Sequence, residues 1–186
     1  MRVAWVLEEL GEPYEVTVMT REESRAEEHR TRHPLGRVPV LEDNGTMIFE
    51  SAAICLHLAD LNPDSGLIGP LGSSERALVY QWAIFAPAEI EPPLLEAAIY
   101  AERDPERAAR ARVRFDAAAL AVSDALEGGE YIAAGRFTVA DVLLGSALAF
   151  TARAGFADQL PANVQAYLGR LAARPAYQRA AQRAPA

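Results

Sequence analysis

The chain has 186 residues, 51% of them apolar and 24% charged, which makes one or two folded domains and excludes a disordered polypeptide. Its 18 basic residues stand against 26 acidic ones, and the net charge of -8 argues against nonspecific attraction to nucleic acid or an anionic membrane surface. The single cysteine, Cys55, excludes an internal disulfide framework and a CxxC pair. With no apolar run long enough to span a bilayer and no signal-peptide pattern, the expected compartment is the cytoplasm.

In chain order, Val3, Val6, Leu7 and Leu10 fall at helical spacing ahead of Gly11, so a helix is expected over residues 1–10. Residues 14–19 alternate and are rich in β-branched side chains, which reads as a strand, and a polar stretch of helical character follows over 22–31. Residues 38–41 and 47–49 read as a hairpin closed by Asp43-Asn44-Gly45. A helix is expected from Ser51 to about Asp60, with Ile54, Leu58 and Leu61 on one face, ended by the turn residues 62–66.

Residues 67–73 read as a linker between a first domain, 1–66, and a second, 74–186. The two parts differ chemically. Split after Gly72, the first holds 6 arginines against 13 acids, net -7, and the second 12 against 13, net -1. Of the 37 alanines, 32 lie in the second part, which is therefore expected to be almost wholly helical. Helices are placed near 74–102, 105–127, 138–155, 161–173 and 176–182, the first kinked or broken by Pro87, Pro92 and Pro93. The second has apolar rows on more than one side (Val113, Ala117 and Leu120; Phe115, Ala119, Val122 and Leu126) and is expected to be the buried central helix.

The most informative run is HPLGRVPVLEDNGTMIFESAAICLHLAD, residues 33–60. Proline has no amide for a ladder partner, so Val38-Pro39 at a strand start leaves backbone exposed that an extended peptide ligand can pair with, and a cis bond there presents Val38 outward. Glu50-Ser51 stands at a helix start, where free amides, the helix dipole and a hydroxyl favour a carboxylate while the Glu50 carboxylate takes an ammonium. Together they suit the zwitterionic end of an amino acid.

This order of segments resembles the glutathione transferase family, through VAWVLEELGEPYEV (3–16), GRVPVLEDNG, ESAAICLHLAD and GRFTVADVLLGSAL (135–148). The resemblance implies an α/β thioredoxin-like N-terminal domain that binds glutathione, followed by an all-α C-terminal helical bundle. By position it assigns the cis-proline to Pro39, backbone pairing with the cysteinyl part of glutathione to Val38, and the γ-glutamyl group to Glu50 and Ser51. Arg37 is assigned to the glycine carboxylate, with His33 a weaker candidate. It further implies conjugation of glutathione, as co-substrate, to small hydrophobic electrophiles, and a cytoplasmic homodimer that works without a metal. The alternative is a non-catalytic module that binds partners. Trp82, Phe85 and Tyr100 are candidates for the hydrophobic substrate pocket.

The family's first β-strand and the residue that activates the thiol have no counterpart in the chain, so both are expected upstream of Met1. That strand would lie between the one at 14–19 and the Val38 hairpin. Other features have structural readings. Thr138 and Asp141 fit a capping box, with Phe137 and Val142 as its staple; Cys55 reads as a buried inert thiol; His29 and His33, four apart, read as solvated surface. GxxxxGK[ST], GxGxxG and GxSxG are all absent.

Overall fold

A computed structural model describes residues 1–183. Helix α1 (Arg2–Leu10) ends at Gly11, which adopts the left-handed φ of 70° that a glycine supplies without a Cβ penalty. Two short helical turns, Glu23–Arg25 and Glu27–Arg30, lead to a two-stranded antiparallel sheet of β1 (Val40–Asp43) and β2 (Thr46–Phe49), in register Val40 to Phe49. Asn44 and Gly45 close the hairpin at positive φ, 49° and 79°, as a two-residue turn requires. Helix α3 is Ser51–Leu61, so that α2 denotes Glu27–Arg30.

The expected strand at 14–19 is not one. The segment runs past the sheet with no backbone hydrogen bond to it among the described residues, and Glu15, Val16, Thr17 and Val18 are exposed. Its β-branched alternation encodes an extended backbone, but a ladder needs a neighbour, and β1 lies across a cleft from it. The first strand of the hairpin also begins later than expected, at Val40, because Pro39 cannot donate to the ladder.

The rest is helical: α4 (Ser74–Phe85), α5 (Glu91–Tyr100), α6 (Pro105–Ala125), α7 (Val139–Arg153), α8 (Ala162–Ala172) and α9 (Pro175–Arg183). Between α4 and α5 the chain widens into one π-type turn, Ala86–Ile90. Pro87, Pro92 and Pro93 each lack an amide, and the wider turn relieves the ring's clash with the preceding carbonyl, so the single helix expected over 74–102 becomes two.

The central helix is α7, not α6. Val139, Ala140, Val142, Leu143, Leu144, Ala147 and Leu148 are wholly buried, whereas on α6 only the row of Phe115, Ala119 and Val122 faces inward, and Val113 and Leu120 are 69% and 57% exposed. Two apolar rows on a helix permit burial on both sides, but neighbours decide it, and α6 has them on one side.

Trp5 of α1 is fully buried against Tyr177 of α9, ring centroids 4.8 Å apart, and its indole N–H donates to Glu9 at 2.9 Å. Glu9 also accepts both arms of Arg174, at 2.6 and 2.8 Å. A planar guanidinium on a carboxylate in this bidentate form fixes orientation as well as distance, and so holds α1 against the helical half. No helix among the described residues is long and apolar enough to cross a membrane.

Candidate functional site

A cleft of about 2110 Å³ opens between residues 12–19, the Val38 to Gly45 stretch, and the starts of α1, α3 and α5. A small-ligand pocket measures roughly 300–1,000 Å³, so this one has room for more than a small ligand.

The peptide bond between Val38 and Pro39 is cis, Val38 is 60% exposed, and both line the cleft with Arg37. The loop before them is held from below by two histidines. His29 Nε2 donates to the Arg37 carbonyl at 2.8 Å, which fixes its tautomer, and His33 Nδ1 accepts the Leu35 amide at 3.1 Å. Both are buried, 4% and 3% exposed, and His33 packs 5.0 Å from the Phe49 ring. The expectation of solvated surface is thereby overturned: Pro34 and Gly36 turn the chain so that both rings lie beneath it. At Gly36 (φ 58°) a Cβ would sit 2.6 Å from the Ser24 carbonyl oxygen, so only glycine permits that close turn.

At the other end of the cleft, Glu50 precedes α3 with φ 68°, a conformation rarely adopted by residues other than glycine. It turns the chain so that Ser51 begins the helix, whose N-terminus carries no side-chain cap. The first amides of α3 therefore point at the cleft unsatisfied by any side chain, as an anion site requires. The Ser51 hydroxyl accepts from Arg2 Nη1 at 3.2 Å, and Arg2 also forms an ion pair with Glu91 at the start of α5. Arg2 and Glu91 carry no sequence signal of this contact, since they lie 49 and 40 positions from Ser51.

Cys55 does not reach the cleft. It is fully buried on the inner face of α3, and burial pushes its thiol up to about 12, so it stays protonated and inert. Trp82 and Phe85 form an edge-to-face pair, centroids 5.0 Å apart, on α4, while Tyr100 lies on α5 under the Arg107 guanidinium at 3.8 Å. None of the three lines the cleft, whose helical wall comes from Glu91, Ser146, Ala149, Phe150 and Arg153.

Thr138 is the N-cap of α7 and Asp141 its third residue, and Asp141 Oδ2 accepts the Thr138 amide at 2.8 Å and its hydroxyl at 3.1 Å. The carboxylate also takes the Ile132 amide and the Tyr167 hydroxyl, each at 2.9 Å. Burial pushes the Asp141 carboxyl up, and these four donors oppose that shift. Among the described residues no group of three or more His, Cys, Asp or Glu side chains is placed to hold a metal ion.

The family described as "Glutathione S-transferase, N-terminal domain" matches residues 1–66. Glutathione S-transferase GstA of Escherichia coli O157:H7 is 28% identical over 167 residues, which span 88% of this chain and 81% of that protein. A sphingomonad glutathione S-transferase, solved in complex with glutathione, superposes with a TM-score of 0.83 at 29% identity, over 97% of this chain and 92% of that one. Elongation factor 1-gamma of Trypanosoma cruzi is 32% identical over 128 residues, 69% of this chain but 31% of that protein.

Proposed function

Because the chain belongs to the glutathione S-transferase family, we propose that its cleft takes glutathione and presents the thiol to small hydrophobic electrophiles. Val38 pairs its backbone with the cysteinyl residue beside Pro39, Glu50 and Ser51 hold the γ-glutamyl group, and Arg37 reaches the glycine carboxylate. The observation that carries this reading is that an outward Val38 beside a cis proline and an uncapped helix start at Ser51 open onto one cleft. Backbone edge and helix terminus are the two elements that recognise an extended peptide with a charged end.

The reaction joins the glutathione sulfur to an electrophilic carbon, with loss of the thiol proton and of a leaving group. It needs a donor that stabilises the thiolate at neutral pH. Cys55, buried and protonated, is not that donor. Among the described residues, 13–19 and the outer edge of β1 have no backbone partner across the cleft.

The direct test is retention on immobilised glutathione with elution by free glutathione, followed by turnover of 1-chloro-2,4-dinitrobenzene. Absence of retention overturns the reading. Similarity to elongation factor 1-gamma favours a second reading, a partner-binding module without turnover. Retention without turnover would support it. The proposal extends to a detoxifying role in the cytoplasm and to a homodimer, which the exposed apolar side chains Leu78 and Ile84 on α4 support. A light-scattering mass near 20.1 kDa would exclude the dimer.

A further inference from the structure

We propose that the second substrate is an aryl electrophile that carries a carboxylate, with Phe150 against its ring and Arg153 on its charge, an inference that rests on the glutathione site proposed above. The helical wall of the cleft is largely one face of α7. Ser146, Ala149, Phe150 and Arg153 recur at i, i+3, i+4 and i+7, the spacing that puts side chains on one side of a helix, and all four line the cleft. Ser146 and Ala149 are small, Phe150 is half-buried, and Arg153 is exposed. The wall therefore offers a short recess, an aromatic ring and a cation, in that order along the helix.

The charge on that wall is uncompensated. Of the four arginines that line the cleft, Arg2 pairs with Glu91, Arg32 with Glu28 at 3.9 Å, and Arg37 stands beside Val38 at the glutathione end. Arg153, in the last turn of α7, has no side-chain ion pair or hydrogen bond among the described residues. Helical side chains lean toward the N-terminus of their helix, and Arg153 starts about 4.5 Å beyond Phe150 along the axis, so its guanidinium is within reach of the edge of a ring laid on Phe150. Burial and the offset or edge-to-face geometry of ring pairs favour an aromatic ligand there. A carboxylate on that ring meets a planar fork whose parallel N–H donors match its two oxygens. An arginine, charged at every working pH, keeps this preference through the neutral range.

A cation in the last turn of a helix also complements the helix dipole, so an arginine with only that role would stand in the same place. The experiment therefore compares three ligands that share their peptide part: glutathione, S-benzylglutathione and S-(4-carboxybenzyl)glutathione, which differs from the second by one carboxylate on the far edge of the ring. Calorimetric titration reads their binding without turnover. Wild type is expected to hold the carboxybenzyl conjugate about fivefold more tightly than the benzyl one, the upper range for an ion pair open to solvent. Arg153→Gln should bring the two conjugates within about 1.5-fold of each other, whereas Phe150→Leu should weaken both by about fivefold and keep their ratio. In wild type the preference should fall toward unity as salt rises from about 10 mM to about 1 M, a reading that needs no variant. Equal binding of the two conjugates by wild type at low salt, or a preference that survives Arg153→Gln or about 1 M salt, leaves Arg153 to the helix end and overturns the proposal. Binding of glutathione but of neither conjugate overturns it too, with the glutathione site intact. Binding of none of the three overturns that site as well.

Discussion

Two helices start in the same way and end up with opposite surroundings. At the start of α7, Thr138 and Asp141 are wholly buried, and the carboxylate collects four donors from three segments of the chain. At the start of α3, Glu50 is exposed at φ 68°, no side chain caps the helix, and Ser51 meets only an arginine from elsewhere in the fold. Both termini offer the same unsatisfied amides. Where the fold closes them internally the result is stability, and where it leaves them to the cleft the result is a place for a ligand.

Removing the α7 carboxylate should have the largest effect. Asp141→Ala leaves the Ile132 and Thr138 amides and the Tyr167 hydroxyl buried without acceptors, at a cost of about 4 kcal/mol. Urea unfolding monitored by tryptophan fluorescence reads it, and a loss under about 1 kcal/mol would show that α7 is not held by its cap. Next comes Gly145→Ala on the same helix. The new methyl would overlap Leu171 Cδ1 and come within 3.9 Å of Trp5, in a core where Leu171 is 2% exposed. Overpacking of that kind costs about 2 kcal/mol, visible as a lower urea midpoint with an unchanged slope.

The open helix start should respond in the other way. Ser51→Ala removes one hydroxyl from the cleft and none from a cap, so glutathione affinity should fall about tenfold while stability moves by less than about 0.5 kcal/mol. Titration calorimetry and thermal unfolding on the same sample check both halves of that statement. A stability loss as large as that of Gly145→Ala would erase the contrast between the two helix starts.

What was legible in the sequence follows the same division between local and nonlocal causes. Asn44-Gly45 dictates its turn, Gly11 its cap, and Thr138 with Asp141 its helix start, since each acts within a few residues. The glutathione transferase resemblance rests on such segments, and their order along the chain carried the fold. Burial was less legible. Val113 and Leu120 look like core residues until the neighbours of α6 are known, and His29 and His33 look like surface until the turn at Gly36 folds the loop over them. Residues 14–19 announce an extended chain but cannot announce a partner strand. The contact of Arg2 with Ser51 and Glu91 joins three segments that share no pattern.

The smallest effect tests whether the closed side of the comparison extends to the seam between α1 and α9. Glu8 accepts Arg179 Nε at 2.6 Å and the Tyr14 hydroxyl at 2.9 Å, with Arg183 at 3.4 Å. The hydrogen bond from Arg179, aided by Tyr14 and the charge of Arg183, holds the Glu8 carboxyl below its ordinary 4.5. A carboxyl depressed in the folded state adds stability that is complete above its unfolded value and disappears as the pH falls through its folded one. Wild type should therefore lose this contribution below pH 4.5, and Glu8→Gln, which never ionises, should lack it already at neutral pH, so that its acid limb is shallower and its stability converges with that of wild type at low pH. Urea midpoints measured from about pH 7 down to about pH 3 read the difference. Parallel acid limbs would mean that Arg179 and Arg183 reach Glu8 without stabilising the seam, and that the closed region stops at Glu9 and Arg174.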